Sequence, residues 1–186
     1  MNYRIGKVVG INTDQRAAVS ISMPGEDDNL FLGVAQLTCD DAFARGRQLL
    51  SEVADEFFDS TDSQLQRLAK AASVVKEKLQ DATGVSFLLA GFSGKALYLI
   101  GQGDVSALLW RNGASQPLTL NPEQVISGFL QPGDKILIST KALVDYAFDL
   151  PLDQWEEETT QKLGESDDPA QTGLRLDVEG EPEMSE

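Results

Sequence analysis

Histidine is absent from this chain of 186 residues, and cysteine occurs once, as Cys39. Without histidine the chain cannot form Ser-His-Asp or Cys-His catalytic pairs, use an imidazole base, or bind zinc through imidazole. A single cysteine excludes an intrachain disulfide and a cysteine-rich zinc cluster, and it fits a reducing compartment. Any metal site must therefore use oxygen ligands and hold a hard cation.

Basic residues are scarce as well. Fifteen Lys and Arg residues stand against 30 Asp and Glu residues, which gives a net charge of −15 and a sequence pI near 4.3. This charge disfavours binding to nucleic acid or to an anionic lipid surface. No run approaches the roughly 18 apolar residues of a membrane span, and the N-terminus lacks a signal-peptide core. We expect a cytoplasmic chain, or the cytoplasmic part of a longer membrane-tethered protein, without direct membrane insertion.

The negative charge is concentrated near the C-terminus. Twelve acidic and two basic residues lie between Asp153 and Glu186, and the rest of the chain is much closer to neutral. Residues 180–186 (GEPEMSE) contain no apolar pattern that a core could bury. We therefore predict one folded domain over residues 1–179, followed by an acidic tail or the start of a linker over residues 180–186.

Hydrophobic periodicity predicts strands, then two helices, then strands again with a late helix. Two-residue alternation and short β-rich runs predict strands near 8–9, 17–22, 30–35, 85–92, 96–100, 107–111, 135–140 and 173–178. Three- and four-residue spacing predicts helices near 40–59, 62–82 and 151–162. This order is typical of an α+β layered fold in which helices pack on sheet faces.

Three segments carry recognisable motifs. Residues 97–113 read LYLIGQGDVSALLWRNG, residues 130–145 read LQPGDKILISTKALVD, and residues 12–14 read NTD. In this order and at these spacings they resemble the PPM-type (type 2C) metal-dependent serine/threonine phosphatases. The resemblance implies two central antiparallel sheets flanked by helices, in a compact domain like those of the bacterial members of this family. It also implies hydrolysis at two Mg²⁺ or Mn²⁺ ions held by carboxylates.

The resemblance also assigns metal-ligand positions, and this chain departs from most of them. Asp14 matches the first aspartate of the family. Gln36 and Leu37 stand where the family has Asp-Gly, and Lys141 and Ala142 stand at a second Asp-Gly. A protonated lysine cannot ligate Mg²⁺ and would repel it. Asp14 is thus the one retained ligand of the three well-aligned acidic positions, able at most to bind a metal weakly.

Other positions have less direct counterparts. Residues 167–168 are a rough match to the late Asp-Asn of the family. Lys141 is expected to form a structural salt bridge with Asp14, or else to leave a residual anion site. The resemblance assigns the glycine–aspartate pairs of two further motifs to structural turns; these residues are Gly103, Asp104, Gly133 and Asp134.

Two functional hypotheses follow. The first is a catalytically degenerate phosphatase-like domain, a pseudophosphatase, that needs no metal cofactor and acts as a protein-binding or regulatory module. Its protein partner is not identified by the sequence. The second is a divergent serine/threonine protein phosphatase with a weakened two-metal site that uses Mg²⁺ or Mn²⁺.

Overall fold

The computed structural model describes residues 2–26, 29–140 and 150–179. Within these ranges there are ten strands and three helices. In chain order they are β1 (Tyr3–Val9), β2 (Arg16–Pro24), β3 (Asn29–Thr38), α1 (Ala42–Asp59), α2 (Gln64–Lys78), β4 (Thr83–Ser93), β5 (Ala96–Gln102), β6 (Ser106–Arg111), β7 (Ala114–Pro117), β8 (Ile126–Phe129), β9 (Lys135–Ser139), α3 (Leu152–Gly164) and β10 (Thr172–Val178).

The strands form two antiparallel sheets of five. One sheet has the order β1-β10-β9-β6-β7 and the other has the order β2-β3-β4-β5-β8. The inner faces of the two sheets enclose an apolar core to which Leu32, Val34 and Leu88 contribute from one sheet, and Ile138 and Leu174 from the other. The predicted α+β sandwich of two central antiparallel sheets is therefore confirmed.

The helices cover the outer faces of this sandwich. α1 and α2 bury one apolar stripe each on the second sheet, where Phe57 of α1 packs against Phe31 of β3. α2 begins at a capping box in which Ser63 and Gln66 bond reciprocally. α3 packs on the first sheet through Leu152 and the fully buried Trp155. No helix in these three described ranges is long and apolar enough to cross a membrane.

The structure differs from the predicted elements mainly at sheet edges. β7 and β8 were not predicted, because every residue of β7 and most of β8 is exposed and so carries no apolar alternation. β7 follows β6 through the Asn112-Gly113 turn, whose two residues have φ of 53° and 80°, as a two-residue hairpin requires. α2 ends at Lys78, four residues before the predicted end.

The turns assigned to structural roles lie on the same framework. Gly103 has φ of +84°, and a Cβ there would lie 2.5 Å from the Ser86 side-chain oxygen, so only glycine fits this turn. The same Ser86 oxygen accepts a hydrogen bond of 2.9 Å from the backbone N–H of Asp104. Gly133 also has a positive φ, of +89°, directly before the buried Asp134. The predicted tail, residues 180–186, lies outside the described residues.

Candidate functional site

The sequence motifs meet at one end of the sandwich. The β1–β2 loop is bound to the segment before β10 by two backbone hydrogen bonds of 2.8 Å, from Gly10 to Gln171 and from Ile11 to Pro169. The end of β9 joins the same place, because the N–H of Thr140 donates to the carbonyl of Thr172 at 3.0 Å. Residues distant in sequence are thus brought together here by strand pairing and loop bonds.

Gln36, at a position where the resemblance places a metal-bridging aspartate, is a buried side chain with 4% exposure. Its Nε2 donates to the carbonyl of Ala170 at 2.7 Å. This contact is possible because Gln36 lies near the end of β3, which is paired on both sides, with Ala18 and Ser86 opposite. The amide therefore ties the second sheet to the segment before β10.

Leu37 faces the other way. Successive side chains of a strand alternate between faces, so the residue after Gln36 lies on the helix side of β3. Leu37 is fully buried in the core beneath α1, where its Cδ2 lies 3.0 Å from the position that a Cβ on Gly46 would take. The structure consequently does not bring the Leu37 side chain to the polar end of the sandwich.

A guanidinium lies beside Asp168 at this end. Arg16 binds Asp168 through two bonds, Nε to Oδ1 at 3.0 Å and Nη2 to Oδ2 at 2.5 Å. Its Nη1 donates to Oγ1 of Thr38 at 3.1 Å, since Arg16 and Thr38 are register partners of β2 and β3. The hydrogen bonds to Asp168 raise the pKa of Arg16 above its ordinary value. Asp168 thus holds an organic cation in a bidentate pair.

The hydrogen bonds continue across the first sheet. Gln171 donates from Nε2 to Oδ2 of Asp168 at 3.1 Å, and its Oε1 accepts from the hydroxyl of Thr140 at 2.9 Å. A chain of side-chain contacts therefore runs from Thr38 through Arg16, Asp168 and Gln171 to Thr140. We call these five residues the Arg16 network.

Asp14 stands apart from the Arg16 network. Its side chain is exposed, and its carboxylate forms no ion pair within the described part of the chain. Its backbone carbonyl accepts from the N–H of Ala42 at 2.9 Å, which ties the loop to the start of α1. The other predicted partners, Lys141 and Ala142, lie outside the described residues, so an Asp14–Lys141 salt bridge stays a prediction.

The described donors at this end do not fit a two-metal centre. Across residues 2–26, 29–140 and 150–179, no group of three His, Cys, Asp or Glu side chains could hold a metal ion. One carboxylate, Asp168, is bound by a guanidinium, and the Gln36 amide nitrogen is committed to a carbonyl. A two-metal centre needs several free, charged oxygen ligands.

Three members of the Arg16 network, Arg16, Thr38 and Gln171, were not predicted from the sequence. Arg16 stands only two residues after Asp14, and a cation next to a suspected ligand is a signal that could have been read. Thr38 and Gln171 carry no such signal, because neutral polar residues occur at the ends of many strands. Their roles depend on the pairing of β2 with β3 and on the path of the chain into β10.

Comparison with known proteins places the fold. No family model matches the chain, and no curated protein sequence matches it. A serine/threonine phosphatase from S. agalactiae is similar in structure, with a TM-score of 0.74 and 10% sequence identity, over 96% of this chain and 100% of that one. A bacterial stressosome structure, from a modular system adapted to control secondary messenger signaling, has a TM-score of 0.67 and 12% identity, over 95% and 100%.

A third similar structure contains metal ions. The catalytic domain of the serine/threonine protein phosphatase PstP, in complex with two manganese ions, has a TM-score of 0.59 and 16% identity. The match covers 96% of this chain and 98% of that domain. At such identities structural similarity carries information on the fold and not on the site. The chain has the fold of the PPM-type serine/threonine phosphatases.

Proposed function

We propose that this chain is a non-catalytic phosphatase-fold domain, a pseudophosphatase, that serves as a protein-binding or regulatory module. The observation that carries the proposal is the Arg16–Asp168 pair, at the end of the sandwich where the resemblance places metal ligands. Fold similarity to a stressosome structure is in keeping with a regulatory role.

A metal ion at this site would compete with the Arg16 guanidinium for Asp168. A Mg²⁺ or Mn²⁺ ion near Asp168 would have to displace the Arg16 guanidinium from a bidentate contact, or else approach it closely. Two like charges at short range in a partly buried site repel each other strongly. Arg16 therefore fills the role of a fixed, covalently attached counter-ion, which needs no metal to neutralise the carboxylate.

A divergent metal-dependent phosphatase is the second candidate. The observation that favours it is the exposed Asp14 carboxylate, which forms no ion pair in the described part of the chain and so is free to bind a cation. In that case Asp14 would hold one Mg²⁺ or Mn²⁺ ion together with water and other oxygen ligands.

Assays of hydrolysis and metal binding on the purified protein distinguish the two candidate functions. We expect no hydrolysis of an aryl phosphate in excess Mn²⁺, and no Mn²⁺ binding by calorimetry at micromolar concentration. The triple variant Arg16→Gln, Gln36→Asp and Lys141→Asp frees Asp168 and supplies two carboxylates, so it should bind Mn²⁺. Arg45→Gln is the matched control, because it breaks another bidentate pair, with Asp81, that contains no member of the Arg16 network and should leave metal binding unchanged.

The possible results of these assays distinguish the two candidate functions. Turnover by the wild type that a chelator abolishes, and that Asp14→Ala removes, would overturn the pseudophosphatase proposal in favour of the second candidate. A wild type without turnover, together with metal binding in the triple variant, supports the proposal, because the fold would then hold the ions only after Arg16 is removed and two carboxylates are supplied.

A further inference from the structure

A groove of about 470 Å³ lies on the side of the sandwich, outside the Arg16 network. Its floor is five consecutive residues of β2, Ala18–Ser22, and its walls come from β1 and from α1. β1 and β2 are edge strands of different sheets, so the groove follows the line where the two sheet edges approach each other. We call it the β2 groove.

The free edge of β2 faces this groove. Ala18 donates its N–H to Asn12 Oδ1 at 2.9 Å and accepts at its carbonyl from Asn12 Nδ2 at 3.2 Å, so its backbone points away from β3. In an antiparallel ladder alternate residues share this direction, so Ser20 and Ser22 also point outward. The Ser20 carbonyl accepts from Lys7 Nζ at 3.3 Å. The Ser20 and Ser22 N–H groups and the Ser22 carbonyl have no partner strand, as β2 ends its sheet.

The charge of the β2 groove is opposite to that of the molecule. Lys7 and Arg47 line it, whereas none of the described acidic side chains does, in a chain with a net charge of −15. Neither cation forms an ion pair within the described ranges. The Glu156 carboxylate of α3 accepts from the backbone N–H of Lys7 at 3.2 Å and is not part of the lining.

Two further features make the walls suited to a ligand. Burial, and the nearby charge of Arg47, lower the pKa of Lys7 from its ordinary value, so an anion bound beside it would favour its charged form. The Arg47 guanidinium lies 5.6 Å from the ring centroid of Phe43, whose side chain is partly exposed in the wall. An aromatic face beside a cation offers both apolar and ionic contact.

We propose that the β2 groove binds an extended peptide carrying acidic side chains, which adds as a strand to the free edge of β2. The backbone of such a peptide would pair with Ser20 and Ser22, and its carboxylates would meet Lys7 and Arg47. Charge complementarity selects an acidic partner, and the length of the floor selects a peptide over a single small anion. Five strand residues extend over roughly 15 Å, at about 3.3 Å each.

This inference rests on the proposed binding role and assigns it a surface. The probe is a short fluorescein-labelled peptide in which threonine and glutamate alternate, titrated with the full chain at fixed ionic strength. We expect saturable binding that weakens about fivefold in Lys7→Gln and in Arg47→Gln, which is about what one partly exposed ion pair contributes. Lys70→Gln removes an exposed charge elsewhere, on α2, and should bind as the wild type does.

Two altered peptides test the mode of binding. A peptide with glutamine in place of glutamate keeps the backbone and loses the charge, and a backbone N-methylated peptide keeps the charge and loses its edge donors. Both should bind at least about fivefold more weakly. On isotope-labelled protein, the amide resonances of Ser20 and Ser22 should shift when the unmodified peptide binds. These shifts are measured on the wild type, so they do not depend on how any variant folds.

Several results would overturn the inference. Unchanged affinity in both charge variants would remove the role of Lys7 and Arg47. Equal binding of the N-methylated peptide, or full displacement by an equivalent concentration of inorganic phosphate, would show a simple anion site without strand addition. The phosphatase assay is independent of these arms: metal-dependent turnover would overturn the proposed function, while peptide shifts at Ser20 and Ser22 would still support the groove.

Discussion

Two bidentate arginine–aspartate pairs lie in different regions of the molecule and differ in burial. Arg111 binds Asp134 through Nε at 2.9 Å and Nη2 at 2.6 Å, and Arg16 binds Asp168 with similar geometry. The Asp134 side chain is 2% exposed, whereas the Asp168 side chain is 33% exposed. Asp134 also accepts from the N–H of Gln131 at 2.8 Å.

The same kind of arginine–aspartate pair serves different purposes in the two regions. Arg111 ends β6 in one motif segment and Asp134 precedes β9 in another, so their pair joins the β6–β7 hairpin to the turn before β9. Removing one member of a buried pair leaves an uncompensated charge, which is costly. The Arg16–Asp168 pair is partly exposed on both sides, so its loss is expected to cost less stability. Under the proposed function, we expect its main effect to be on which cation Asp168 can hold.

Replacing the buried carboxylate should have the largest effect. We expect Asp134→Ala to lower the free energy of unfolding by about 3 kcal/mol, because it strands the Arg111 guanidinium and the N–H of Gln131. Urea denaturation followed by circular dichroism measures this. A loss below about 1 kcal/mol would mean that burial does not distinguish the two pairs.

Replacing Gly103, in the turn before Asp104, should have the second-largest effect on the free energy of unfolding. Gly103→Ala places a Cβ 2.5 Å from the Ser86 side-chain oxygen at a φ of +84°, and we expect it to cost about 2 kcal/mol. Gly94→Ala is the matched control, because Gly94 also has a positive φ but has no atom within 4 Å of the added Cβ. Similar costs in the two variants, from the same denaturation experiment, would attribute the whole effect to the backbone.

The partly exposed Arg16–Asp168 pair should contribute less to the free energy of unfolding than these two features. We expect Asp168→Ala to cost about 1 kcal/mol at low salt, and less at high salt, since exposed pairs are screened. A double-mutant cycle with Arg16→Met isolates the pair from the other bonds of the Arg16 network. A coupling energy that does not change with salt would contradict the exposure-based ranking.

The third pair, Arg45 with Asp81, should show the smallest effect. Hydrogen bonds from Arg45 lower the pKa of Asp81, so the pair stabilises the protein above the ordinary carboxylate pKa and loses this contribution as pH falls through the lowered value. Because Asp81 is exposed, we expect no measurable change in the urea midpoint of Asp81→Ala at pH 7. A clear destabilisation of Asp81→Ala at pH 7, or one that persists in strong acid, would contradict this order of effects.

Much of the fold could be predicted from the sequence, because periodicity and turn residues act locally. The helices with regular apolar stripes were predicted because each stripe depends on residues that are close in sequence. β7 and β8 were missed because exposed edge strands pair through their backbones and leave no hydrophobic pattern. The candidate site was predicted only in part: Gln36 lies at the expected end, whereas Leu37 belongs to the helix-side core.

The sequence by itself determined the layered α+β class and the scarcity of carboxylates at the expected ligand positions, since composition and motif residues can be counted without coordinates. The tertiary structure decided which charges meet. Arg16 and Asp168 are separated by most of the chain and become partners only because β1 pairs with β10 and the β1–β2 loop bonds to the segment before β10. Electrostatic energy depends on distance through space, and distance along the sequence does not specify it.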